Sequence, residues 1–185
     1  MHDDKPRGRS VAGEERYGKT RPWFTDPSIV RAAGEVFDRF GLGTARTIDQ
    51  LTDIVSKALG KRILVRGVSD PDLVMTTALW VEFPTHSLIV LRDGDRAYYK
   101  ARGLFHELGH IMFQHPACTL LGGDPQITKY TEPDGQVRGR VLISEANLPA
   151  LYGSDRYESE AEAVATQIGR HLLRPRFDAD EKMFG

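Results

Sequence analysis

Residues 106–110 read His-Glu-Leu-Gly-His and combine residue types that bind a metal ion and move a proton. Histidines four positions apart project from one face of a helix, so His106 and His110 can reach one cation. Zinc suits two neutral imidazoles and a carboxylate, with one position left for water. Glu107 lies about 100° around the helix from His106, where it can contact that water without occupying the metal. This spacing suits metal-assisted hydrolysis of a peptide bond, with Glu107 as the general base.

A site with two histidines needs a third protein ligand, and the residues after the pentapeptide narrow the choice. A metzincin places a further histidine six residues after the second one, but position 116 is a proline. His115 lies about 140° around a continued helix from His110, so we predict that it misses the metal and either faces solvent or contacts substrate. The remaining source is a glutamate from a later helix.

Residues 157–165 supply such a glutamate, because Glu158 and Glu162 share a helical stripe with small residues. Small residues allow this helix to pack closely against the pentapeptide, which buries both carboxylates. Two buried carboxylates are costly without a cation or hydrogen-bond donors, and a metal ion removes that cost. We therefore predict Glu158 as the third ligand and Glu162 as the carboxylate that holds a ligand histidine's outer N–H. Glu160 is predicted to point into solvent.

Three alternatives stay open at this stage. The pentapeptide also fits a plain helix with two hydrogen-bonded histidines and a surface Glu107. Glu145 is a second candidate for the third ligand, although Pro149 interrupts the helical run that should follow it. A tyrosine or histidine near the metal should stabilise the oxyanion, and Tyr157, next to Glu158, is the first candidate. The other candidates for that role are Tyr130, Tyr152 and His115.

Hydrophobic periodicity and helix caps predict the elements that must position these residues. Two helices come first, one between Asp26 and Gly41 and one between Thr47 and Gly60. A sheet segment and two further helices follow, and the first of these helices carries the pentapeptide and ends before Pro116. This order predicts an α+β fold in which a small sheet packs on the pentapeptide helix. The predicted strands cover residues 62–66, 76–83 and 87–92, and the later helices cover about 96–114 and 155–173.

The pentapeptide, the Glu-x-Glu-Ala-x-x-x-Ala pattern of residues 158–165 and Leu-Leu-Arg-Pro at 172–175 together resemble the ImmA/IrrE family of small zinc metalloproteases. The resemblance covers roughly residues 27–175. Three features differ from the usual family pattern. Glu162 stands where the family usually has asparagine, the stretch from there to the Leu-Leu-Arg-Pro segment is about one turn longer, and residues 117–153 lengthen the spacer between the two motifs.

The resemblance implies a gluzincin-like, zincin-like α+β fold and a single zinc ion. Its ligands would be His106, His110 and Glu158, and Glu107 would be the general base. It also implies a cytoplasmic endopeptidase that cleaves a protein substrate, a helix-turn-helix transcriptional repressor or regulator, often in a stress response. Zincins often bind substrate as an added strand, and the candidate edge here is residues 76–82 or the hairpin partner.

Length and composition place the chain among folded globular proteins. It has 185 residues, of which 40% are hydrophobic and 28% charged. No apolar run approaches the roughly 20 residues that span a bilayer, and residues 1–10 lack the apolar core of a secretory signal. A net charge of −1 gives no reason to expect nucleic-acid binding, and Cys118 is the only cysteine. We therefore predict a cytoplasmic protein that binds neither membranes nor nucleic acid directly.

The distribution of apolar residues predicts one domain with two polar ends. Residues 1–22 hold few apolar side chains and are expected to form a disordered arm. Residues 23–175 form the predicted metalloprotease domain, and 176–185 form a tail. Within the domain, residues 117–153 are expected to be a long, loop-rich insertion with a small hairpin around residues 132–135, and loops of that length are often functional.

Two other functions compete with peptide-bond hydrolysis. In the first, a non-catalytic, metal-stabilised protein sequesters a regulatory partner through residues 117–153. Glu107 argues against it, because a purely structural metal site needs no general base. In the second, the chain is a toxin or stress-response component whose target is not a repressor.

Overall fold

The structure is a computed structural model that describes residues 26–69, 78–116, 129–131, 133–138 and 155–173. Several predictions fall on other parts of the chain. The arm at 1–22, the tail at 176–185 and most of the insertion at 117–153 lie outside the described residues. The same is true of Glu145 and Tyr152.

Two helices open the described chain, and they begin and end where the caps predict. The Asp26 carboxylate accepts a hydrogen bond at 2.8 Å from the backbone N–H two residues later. The Thr47 hydroxyl accepts one at 3.2 Å from the backbone N–H three residues later. Gly41 and Gly60 follow the helices with φ of 67° and 62°, a left-handed conformation that glycine adopts without strain. The helices are α1 (Pro27–Arg39) and α2 (Ile48–Leu59), and a 3-10 turn (Leu42–Thr44) lies between them.

Four strands form a mixed sheet in the order β1-β3-β2-β4. β3 pairs in parallel with β1, and β2 pairs antiparallel with β3 and with β4. The predicted substrate edge is therefore wrong for residues 80–82, which pair with β4, and for β3, which has a neighbour on each side. Residues 76–77 of that edge lie outside the described residues. The strand that covers β2 comes from the region between the last two helices, directly after the residues 132–135 at which a small hairpin was predicted. The strands are β1 (Arg62–Val68), β2 (Ala78–Glu82), β3 (His86–Arg92) and β4 (Gln136–Arg138).

The next two long helices pack against each other, and the first of them lies on the sheet. α3 (Ala97–Phe113) contacts β2 and β3, and α4 (Asp155–Leu172) packs against both α3 and α1. The described residues thus form an α+β fold with a small mixed sheet, as predicted. None of their helices is both long and apolar enough to cross a membrane. The main core joins α1, α2, α3 and α4 to the sheet and includes Val36, Leu51, Trp80, Ile89, Leu104, Phe105, Leu108, Val164 and Ile168.

Candidate metal centre

A close approach between α3 and α4 sets the position of the site. Gly109 is the fourth residue of the pentapeptide, and it faces Ala161 of α4. A Cβ atom added at Gly109 would lie 2.8 Å from both the Cα atom and the carbonyl oxygen of Ala161. Only glycine fits there without moving a backbone, so the two helices come together at the level of the histidines.

This approach brings the three predicted ligands together. The Nε2 atoms of His106 and His110 are 3.0 Å apart. The Glu158 carboxylate places one oxygen 3.3 Å from Nε2 of His106 and the other 3.5 Å from Nε2 of His110. Tetrahedral zinc with ligands at about 2.0–2.1 Å separates its ligand atoms by roughly 3.4 Å. The donor atoms present thus fit a zinc ion both in type and in spacing.

The charges of the ligands also suit a cation. Burial opposes ionisation of Glu158, but hydrogen bonds with His106 and His110 outweigh it and lower the pKa of its carboxyl to about 2. Burial lowers the pKa of His110, which keeps its imidazole neutral. Metal ligands must be deprotonated to bind. Glu158 is therefore ionised and His110 neutral, which are the charge states that coordinate a metal.

Glu107, the predicted general base, lies beside these ligands on α3. It is 2% exposed, and its Oε2 atom has no hydrogen-bond partner among the described residues. Burial, together with the negative charge of Glu158, raises the pKa of Glu107 well above its usual value. A buried carboxylate oxygen without a protein partner is rare, and it fits a group that acts on a bound molecule.

Glu162 contacts one ligand histidine from the outside. Its Oε2 atom lies 3.4 Å from Nδ1 of His106, and the carboxylate also forms an ion pair with Arg102. His106 thus directs Nε2 toward the other ligands and Nδ1 toward a carboxylate. This is the arrangement predicted for Glu162.

The prediction that His115 faces solvent is wrong. The 140° rotation from His110 assumed a continuous helix, but α3 ends at Phe113 and Gln114 adopts the left-handed conformation, with φ 56° and ψ 43°. The chain turns back there, and the backbone N–H of His115 donates to the carbonyl of His110 at 3.0 Å. His115 is consequently 4% exposed, and its Nδ1 atom lies 2.8 Å from Nδ1 of His110.

The prediction that Glu160 points into solvent is also wrong. Glu160 is 7% exposed. Its Oε2 atom lies 3.2 Å from Nε2 of His115, and its Oε1 atom accepts a hydrogen bond from Nε of Arg156 at 2.8 Å. The prediction considered only the stripe of α4 that packs against α3. His115, which follows the turn at the end of α3, contacts Glu160 on the neighbouring stripe of α4. The prediction left out this turn, and for that reason it missed the burial of both residues.

The described candidates for the oxyanion-stabilising residue differ in their surroundings. Tyr157 packs on the ring of His115, with centroids 4.7 Å apart, and is 40% exposed. Tyr130 packs beside the smaller apolar cluster on the other face of the sheet. Both ring nitrogens of His115 already face protein partners. Tyr157 therefore stays the predicted residue for this role.

Comparisons of the chain with family models, with curated proteins and with solved structures find no match. The resemblance to the ImmA/IrrE family stays a prediction. The side chains of this site are therefore the basis for assigning a function.

Proposed function

We propose that the protein is a zinc-dependent endopeptidase of the ImmA/IrrE type with a zincin-like fold. His106, His110 and Glu158 would hold one zinc ion per chain. The observation that carries the proposal is the spacing of 3.0, 3.3 and 3.5 Å among their donor atoms. Two imidazoles and one carboxylate leave a coordination position open, which is typical of catalytic zinc sites and not of structural ones.

The residues around the ligands then have separate roles. When bound, zinc acts as a Lewis acid and lowers the pKa of water. Glu107 takes a proton from the attacking water at its carboxylate and returns it to the nitrogen of the leaving amine. Glu162 orients His106, and Tyr157 would donate to the oxyanion.

The substrate class in this proposal comes from the resemblance. It is a DNA-binding regulator of the helix-turn-helix kind, cleaved in the cytoplasm, with an effect on transcription or the stress response.

The test is cleavage itself. Zinc-loaded protein is incubated with a peptide library and with helix-turn-helix proteins, and new termini are identified by mass spectrometry. Products that vanish with a chelator and return with zinc support the proposal. Intact substrates in every incubation contradict it.

Zinc content should follow the ligand set. We expect about one zinc ion per chain in the wild type and loss of that zinc in His106→Ala and Glu158→Ala, because each removes one of only three protein ligands. Glu145→Ala is the matched control for Glu158→Ala and should keep the metal. The measurement is elemental mass spectrometry after zinc reconstitution and dialysis. If Glu158→Ala keeps zinc and Glu145→Ala loses it, the third ligand is Glu145 and not Glu158.

A further inference from the structure

The two ligand histidines have different partners on their outer nitrogens. Nδ1 of His106 faces the Glu162 carboxylate at 3.4 Å. Nδ1 of His110 faces Nδ1 of a second imidazole, His115, at 2.8 Å. Zinc-bound histidines usually donate this N–H to a carboxylate, a carbonyl or water. The partner of His110 is therefore of an unusual type, and its own protonation must be fixed for the contact to be favourable.

The contacts beyond His115 settle where the protons lie. If His110 binds metal through Nε2, its proton is on Nδ1, so Nδ1 of His115 must accept it. The proton of His115 is then on Nε2, which lies 3.2 Å from Oε2 of Glu160 and can donate to it. Nε of Arg156 donates to the other oxygen of Glu160 at 2.8 Å. Every N–H in the series from His110 to Arg156 thus faces an acceptor. This set of hydrogen bonds agrees with metal binding through Nε2 of His110.

Packing holds the His115 ring in this orientation. The ring of Phe113 stacks on it, with ring centroids 5.2 Å apart and an interplanar angle of 2°. The ring of Tyr157 covers it, with ring centroids 4.7 Å apart. The ring is thus fixed both by its two aromatic neighbours and by hydrogen bonds at both nitrogens.

We propose that His115, held by Glu160 and Arg156, is a positioning residue for the ligand His110. It fixes the Nδ1–H tautomer of His110 and directs Nε2 toward the metal, so it sets the affinity for zinc. This inference rests on the proposed metal site. It assigns no chemical step to His115, which acts only through His110.

The test compares two replacements of His115 that differ in one property. His115→Phe keeps a ring that can stack on its neighbours but removes the acceptor, and His115→Asn keeps an acceptor oxygen near the position of Nδ1. Zinc affinity, measured by competition with a chromophoric chelator, should fall about 10–100-fold in His115→Phe. His115→Asn should recover most of that loss. His86→Phe, a matched change on β3, should leave the affinity unchanged.

A second measurement on the wild type makes the test independent of how the variants fold. Long-range proton–nitrogen NMR of the zinc-loaded protein should show His110 protonated at Nδ1 and His115 at Nε2. A His115 protonated at Nδ1 would overturn the inference, as would equal zinc affinity in a folded His115→Phe. Failure of the wild type itself to bind zinc would instead overturn the proposed metal site. The two failures are therefore distinguishable.

Discussion

Replacing Glu107 with glutamine should slow peptide-bond cleavage about 10²–10⁴-fold while the zinc content stays at the wild-type level. Glutamine has almost the same size and keeps a carbonyl oxygen, but it cannot take a proton from water. Zinc should remain because the three ligands, His106, His110 and Glu158, are unchanged. The measurements are the initial rate on a peptide cleaved by the wild type and the metal content of the same preparation.

The matched control for this change is Glu35→Gln. Glu35 lies exposed on α1, so the same loss of a carboxylate there should leave the cleavage rate unchanged. Wild-type cleavage by Glu107→Gln would exclude Glu107 as the general base. Loss of zinc from that variant would mean that Glu107 is itself a ligand. If Glu107→Gln still inhibits a partner regulator without cleaving it, the protein acts by sequestration, the competing function that the sequence leaves open.

Replacing Gly109 with alanine should destabilise the fold, although alanine is the better helix former. The new Cβ would lie 2.8 Å from backbone atoms of Ala161, so one helix must move. Forcing an extra carbon into a packed interface costs about 1–3 kcal/mol. For a domain of this size, each kcal/mol lowers Tm by roughly 2–4 °C. Zinc affinity should fall as well, because α4 carries Glu158. Thermal unfolding and chelator competition measure the two effects.

Gly34→Ala is the control, since it makes the same substitution inside another helix. No atom lies within 4 Å of a Cβ added at Gly34. Alanine there should stabilise the protein by up to about 1 kcal/mol through its helix propensity. The two glycine variants should therefore shift Tm in opposite directions. An unchanged or raised Tm in Gly109→Ala would show that the helices can separate at low cost, and the close approach would then not determine the ligand geometry.

Local rules were enough to predict the helices and the residues that meet at the site. Asp26, Thr47 and the two left-handed glycines gave the bounds of the first helices, because caps depend on neighbouring residues alone. Spacing along α3 and α4 was likewise enough to select His106, His110 and Glu158. Each of these predictions needs only the geometry of one regular helix.

The errors arose where regular geometry stops. Gln114 adopts a left-handed conformation that is uncommon for a residue other than glycine, and the position of His115 depends on it. Glu160 was misplaced because its partner lies beyond that turn. β4 has three residues and pairs with β2, which lies far away in the sequence. The turn residues 132–135 predicted a hairpin at this point, but no local pattern could identify β2 as the partner strand. The sequence did offer one signal for the turn after α3. His115 comes five residues after His110 and directly precedes Pro116.

The proposed ligands come from helices that are far apart in the chain, so the site cannot assemble until both helices have been synthesised. α3 leaves the ribosome first, with His106 and His110, and Glu158 follows only with α4. α4 also provides the surface on which α1 packs, so the first helix lacks this partner over the same interval. Because domains fold as units as the chain emerges, the core and the ligand set become complete together. A nascent chain that has not yet reached α4 would carry Glu107 and the two histidines, but it would lack Glu158, the third ligand of the proposed metal site.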